Sequence, residues 1–188
     1  MTVLVDLIKP KTKNKALLFN ILAIVGGSIF LALLSQVAIP LWFTPVPLTM
    51  QTFALMLLGA ALGSRRGALA VMVYLAEGAV GLPVFANFHG GIEFLAGPTG
   101  GYLFAFVLAT FIMGFFMERG ANQHFGMTLL AFILGNVTIL GLGTLWLSLY
   151  VGVASAFSMG VLPFIVGDLI KIAAANAIIP SIQKYCVK

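Results

Sequence analysis

The stretch "LLGAALGSRRGALAVM", residues 57–72, decides how the chain is counted through a membrane. Apolar residues lead into it and away from it, and Arg65 and Arg66 stand in its middle between Gly63 and Gly67. Read as a connection, "GSRRG" separates two short apolar spans, about Leu48 to Leu62 and Gly67 to Gly81, and the number of crossings becomes even.

The composition puts the whole chain in that setting. Of 188 residues, 61% are hydrophobic and 8% charged, and the mean hydropathy is +1.13. A soluble domain is nearer a quarter charged, so this is the composition of an integral membrane protein. A membrane helix needs about 20 apolar residues, and four more runs approach or exceed that length: Leu17 to Ala38, Gly100 to Met117, Met127 to Leu149 and Phe157 to Ile182. The expected fold is all-α with six transmembrane helices, comprising a basic segment, residues 1–16, and a single membrane domain, residues 17–188. The first run is too long for the apolar core of a secretory signal, and "LLSQVAIPLW" offers no small-x-small cleavage site, so it reads as a retained helix.

The cations orient the spans. Lys9, Lys11, Lys13 and Lys15 precede the first, Arg65 and Arg66 join the second and third, Arg119 joins the fourth and fifth, and Lys184 and Lys188 follow the sixth. Six crossings place all of them on one side, while the opposite connections hold no Lys or Arg. The positive-inside rule makes that side, with both termini, cytoplasmic. The net charge of +5 is then a topology signal, and nucleic acid is not an expected partner. The single cysteine, Cys186, provides neither a disulfide framework nor a thiolate cluster for a metal.

Polar and aromatic groups concentrate on the outer side. "IPLWFTPVPLT" carries prolines at 40, 45 and 47, which stiffen it, and Trp42 and Phe43 suit a membrane interface or a ligand. "GLPVFANFHGGIEFLAGPTGG" holds Asn87, His89 and Glu93 among glycines that permit tight turns. Asn87 combines donors and acceptors that suit a small polar ring, and equally suits a left-handed turn. His89 and Glu93 lack a third ligand for a metal and read as solvated loop residues.

Within the spans, Asp168 and Lys171 in "VGDLIKIAAAN" are three apart and share a helix face. Each costs roughly 2.5–3.5 kcal/mol near a bilayer centre, so they either neutralise each other or are kept for a ligand with both donors and acceptors. Gln51 reads as an interhelical hydrogen bond or a ligand contact. Glu77 reads as an interfacial group, hydrated or capping backbone. Ala23 and Gly27, like Ser28 and Ala32, are small residues four apart, a pattern that lets helices approach closely, either inside the bundle or against a partner. There is no "GxxxxGK[ST]", "GxSxG" or "GxGxxG", and "GPTGG" lacks the lysine of a phosphate loop.

The run "TPVPLTMQTFALMLLGAALGSRRG", followed by "GLPVF", "GG", "GPTGGYL" and "GDLIK", resembles the BioY family, the biotin-binding S-components of energy-coupling factor transporters. The resemblance extends from Thr44 to Lys171. It implies a six-helix fold in the cell membrane of a prokaryote and an outward-facing biotin site. It also implies a separate transmembrane coupling protein (T-component) with two ATP-binding subunits, so that the chain is no enzyme and needs no cofactor. On that reading Asp168 accepts from the ureido N–H groups of biotin, and Lys171 or Asn87 donates to the ureido carbonyl. Gly100, Gly101 and Tyr102 let backbone and ring approach the vitamin, and Gln51 holds the lid or touches the tail. Trp42, Phe43, Thr44, Pro45 and Val46 form the gating loop, and Ala23 and Gly27 the docking stripe on which the subunit topples within the membrane. The alternatives are an S-component for another small vitamin, and an intramembrane enzyme using Asp168, Glu77 or His89.

Overall fold

The computed structural model describes residues 12–186 together with Val3 and Pro10. Lys9, Lys11 and Lys188 lie outside the described residues, as do the side chains of Asn122 and of 180–186, Lys184 and Cys186 among them. Helix α1 (Lys13–Ser35) leads into a two-stranded ribbon, β1 (Ala38–Ile39) and β2 (Leu48–Thr49). The strands pair antiparallel, with Ala38 opposite Thr49 and Ile39 opposite Leu48. Helix α2 (Gln51–Ala79), a 3-10 turn (Ala86–Phe88) and short α3 (Ile92–Leu95) follow. Then come α4 (Gly100–Glu118), a second 3-10 turn (Ala121–Gln123), α5 (Phe125–Val151), α6 (Val153–Gly160) and α7 (Leu162–Cys186).

Five continuous helical runs among the described residues are long and apolar enough to cross a membrane. The sixth crossing lies inside α2, where Gly63 adopts φ 81° and ψ −172°, a conformation open to glycine. Gln51 Nε2 donates to Tyr74 Oη at 2.8 Å, whereas a straight helix would hold residues that far apart in sequence roughly 34 Å from each other. The chain therefore reverses at Gly63, and 51–62 and 64–79 are antiparallel arms. Glu118 stabilises the corner: its Oε1 accepts from Ser64 N–H and its Oε2 from Ser64 Oγ, both at 2.8 Å, satisfying an amide at the start of the second arm.

The arms sit at the centre of the bundle. Helix α1 packs on α2, α4 packs on α2 and α5, and α7 packs on α2, α5 and α6. Leu55, Tyr74, Phe85, Met113 and Phe132 are wholly buried between them. The Glu118 contact brings the end of α4 to the arginine corner, and Ser35 Oγ donates to Val84 O at the opposite end. Lys13, Lys15, Arg65, Arg66 and Arg119 therefore collect at one end of the bundle, away from the loops 36–50 and 80–99.

Two boundaries differ from the hydropathy reading. Helix α1 begins at Lys13, ahead of the apolar run that starts at Leu17, so its first turn carries Lys13 and Lys15. The last apolar run, Val153–Ile179, is interrupted at Val161, so the stretch from Phe157 is divided between short α6 and α7. Pro163 suits the first turn of a new helix, where no backbone donor is needed.

Candidate binding site

The first arm of α2 is only about 18 Å long at 1.5 Å per residue, against a hydrocarbon core of about 30 Å. Loop backbone from 40–50 and 84–99 completes the crossing above its Gln51 end and closes the bundle there. Non-helical backbone at that depth is tolerated where it lines a cavity. A cavity lies there.

Its walls come from five directions. Val46, Pro47, Thr49, Gln51 and Thr52 line it from the ribbon and the start of α2, and Ala86, Phe94 and Thr99 from the second outer loop. Tyr102, Leu103 and Phe106 come from α4, Ile139 and Leu140 from α5, and Phe164, Asp168 and Lys171 from α7.

Asp168 and Lys171 are 2% and 8% exposed. Lys171 Nζ donates to Asp168 Oδ1 at 3.0 Å and to Thr52 Oγ1 at 3.0 Å, and Thr52 Oγ1 donates to Asp168 Oδ1 at 3.2 Å. An ammonium has three hydrogens and a carboxylate two oxygens. Asp168 Oδ2 is buried with no hydrogen-bond partner, and two bonds occupy Lys171. The pair thus presents one further acceptor and one further donor, side by side on one helix face. Sequence periodicity brought these two together but missed Thr52, whose signal was a hydroxyl in the first turn of a span, next to Gln51.

The other polar groups of the cavity are largely engaged. Gln51 Oε1 accepts from Thr49 Oγ1 at 3.0 Å while its amide serves Tyr74. Tyr102 Oη donates to Gly160 O at 2.9 Å and lies 3.1 Å from Thr144 Oγ1, tying α4 to α6 and α5. Gly100 and Gly101 do not line the cavity but allow close packing beside it, since a Cβ would strike the Leu95 carbonyl at Gly100 and Trp146 at Gly101. Trp146 Nε1 donates to Gly97 O at 3.0 Å across the same contact.

The outer loops divide their residues between wall and surface. Thr44 is buried, donates to Met159 O at 3.0 Å and accepts from Val46 N–H, so the loop is moored to α6. Val46 lines the cavity, while Phe43 and Pro45 are exposed and Trp42 is 96% exposed. Asn87 is exposed with φ 57°, the left-handed turn conformation, and lines an outer recess with Thr44, Pro45, His89 and Phe94. That recess shares Pro47, Ala86 and Phe94 with the inner cavity. His89 Nδ1 lies 2.8 Å from Ala86 O and its ring stacks on Phe94 at 5.1 Å, and Glu93 does not line either space.

Two residues have other company than expected. Glu77 is half-buried away from the cavity and accepts from Ser28 Oγ at 3.0 Å, joining α1 to the second arm. Gly27, expected on a docking stripe, is buried inside the fold: a Cβ there would lie 2.9 Å from Ala70 Cβ and 3.1 Å from Leu62 Cδ1. The small surface lets α1 approach both arms of α2, and Ala23 packs against the same core.

Six membrane helices and an apolar-walled cavity that holds a buried charged pair define a multi-pass membrane protein with an interior small-molecule site. The chain belongs to the BioY family, whose model matches residues 9–188. A relative from Pyrococcus horikoshii, described as a probable biotin transporter BioY, is 44% identical over 157 residues, covering 83% of this chain and 93% of that protein. The biotin transporter BioY of Thermotoga maritima is 41% identical over 175 residues, covering 93% and 96%. Among solved structures, the S-component for biotin from an ECF-type ABC transporter matches with a TM-score of 0.82 at 30% identity, over 93% of this chain and 95% of that one.

Proposed function

We propose that this chain is the biotin-binding membrane subunit of an energy-coupling factor importer. The observation that carries the reading is the buried Thr52–Asp168–Lys171 cluster, which offers an acceptor and a donor on one edge of an otherwise apolar cavity. The ureido ring of biotin presents N–H beside C=O and complements that edge: N–H donates to Asp168 Oδ2, and the carbonyl accepts from Lys171. The thiophane ring and the methylenes of the tail suit the apolar walls. Charge-assisted hydrogen bonds of this kind contribute roughly 1.5–3 kcal/mol each.

Uptake then depends on partners. The chain has no phosphate-loop sequence, so ATP is hydrolysed by two separate subunits acting through a transmembrane coupling protein. On the positive-inside rule the clustered cations support an arginine corner and termini on the cytoplasmic side, with the cavity opening outward, in the cell membrane of a prokaryote. Because Gly27 is used internally, docking to the coupling protein falls to the outer face of α1, where Leu18, Leu22, Ile29 and Leu33 are exposed. The ligand leaves unchanged, and no cofactor takes part.

Competition distinguishes this vitamin from others. Desthiobiotin, which keeps the ureido ring, displaces labelled biotin from the purified chain, whereas riboflavin and thiamine do not. Displacement by either of the latter, with none by desthiobiotin, would overturn the reading.

A further inference from the structure

We propose that Gln36, outside the cavity, is a positioning residue that sets how long the ligand stays bound, by strapping residues 84–88 across the cavity's outer wall. This rests on the reading of the cavity as the biotin site.

The geometry is specific. Gln36 caps the C-terminus of α1, half-buried, and its side chain reaches the second outer loop from both of its ends. Its Nε2 shares two hydrogens among Ser35 Oγ at 2.8 Å, Phe85 O at 3.1 Å, Ala32 O at 3.2 Å and Val84 O at 3.3 Å, and its Oε1 accepts from Phe88 N–H at 2.9 Å. Carbonyls on one side and an amide N–H on the other match only one orientation of the side-chain amide. Neighbouring Ser35 Oγ adds a bond to Val84 O at 2.6 Å.

The strap so held is bent against its own preference. Asn87 and Phe88 have φ 57° and 59°, two consecutive non-glycine residues in the left-handed region, where Cβ crowds the backbone. Such a conformation persists when its surroundings over-determine it. Phe85 does so from below: it is wholly buried, stacks on Phe94 at 5.3 Å and meets Tyr74 edge-on at 5.5 Å. Gln36 does so from the side, bonding the residues that bracket Ala86. Ala86 is the one residue of the strap's 3-10 turn that lines the inner cavity, and it also lines the outer recess. Releasing Phe88 lets the turn relax, and Ala86 moves with it. The cavity floor, made by Asp168, Lys171 and Thr52, is untouched by that change. Gln36 therefore acts on escape more than on recognition.

The test compares the full chain with Gln36→Met, which keeps the length of the side chain and removes its hydrogen bonds, and Gln36→Glu, which keeps an acceptor for Phe88 but sets an oxygen against the Val84 and Phe85 carbonyls. Labelled biotin is chased from each protein, and amide exchange over residues 84–89 is followed without ligand. Gln36→Met is expected to release biotin about tenfold faster with little change in association rate, to speed exchange in the strap, and to leave the unfolding midpoint nearly unchanged; Gln36→Glu falls between. Unchanged dissociation, or unchanged exchange, would overturn the inference. Failure of the unsubstituted chain to retain biotin would instead overturn the functional reading, while exchange in the strap still decides whether Gln36 holds it.

Discussion

Lys171 Nζ and Asp168 Oδ1 lie 3.0 Å apart on one face of α7, and each side chain depends on the other for its tolerance of the membrane interior. Removing one partner strands a buried charge, at a cost of about 3–5 kcal/mol, whereas replacing both leaves none behind. Lys171→Met is therefore expected to lower the unfolding midpoint in detergent more than the double variant Asp168→Asn, Lys171→Met. Tryptophan fluorescence during heating measures both.

The hydroxyl of Tyr102 is already committed to Gly160 O. Tyr102→Phe is expected to cost about 0.5–1.5 kcal/mol of stability through that lost bond. Its effect on biotin affinity, read by calorimetric titration, is smaller than that of Asp168→Asn. A larger loss of affinity would put the phenol among the ligand's own partners.

The corner at Gly63 depends on an acidic side chain from α4. Glu118→Ala leaves the Ser64 amide without its acceptor, a loss of about 1–3 kcal/mol. Glu118→Gln keeps one acceptor oxygen and loses less. Chemical denaturation of the two variants beside the unsubstituted chain checks that order.

Two glycines of the fourth and fifth helices separate packing from propensity. A Cβ on Gly101 collides with Trp146, while a Cβ on Gly141 meets nothing within 4 Å. Gly101→Ala is expected to destabilise by roughly 1–3 kcal/mol through overpacking. Gly141→Ala is neutral or slightly stabilising, since alanine favours the helix. Unfolding midpoints of the pair give the comparison.

The sequence made the bundle legible because charge and hydropathy answer to the same membrane. The two arginines of "GSRRG" marked a reversal that helical hydrogen bonding alone passes over, since 51–79 stays helical on either side of one glycine. Asp168 and Lys171 were legible for the same reason: a charge in an apolar helix stands out. Thr52, Gln36 and Glu118 were not. A threonine or glutamine near a helix end is unremarkable in one dimension, and their partners lie 116, 48 and 54 residues away. The Ala23 and Gly27 pattern shows the opposite limit. Periodicity found a surface made for close approach, but whether a helix of the same chain or of another occupies it is a matter of tertiary packing.

On the proposed reading this polypeptide alone holds biotin, and Asp168 is its main polar contact. Calorimetric titration of biotin into the purified, detergent-solubilised chain, beside its Asp168→Asn variant, tests it most directly. Saturable one-to-one binding is expected, weakened at least about tenfold by the substitution, which corresponds to about 1.4 kcal/mol. No binding by the folded chain, or equal affinity in the two proteins, would contradict it.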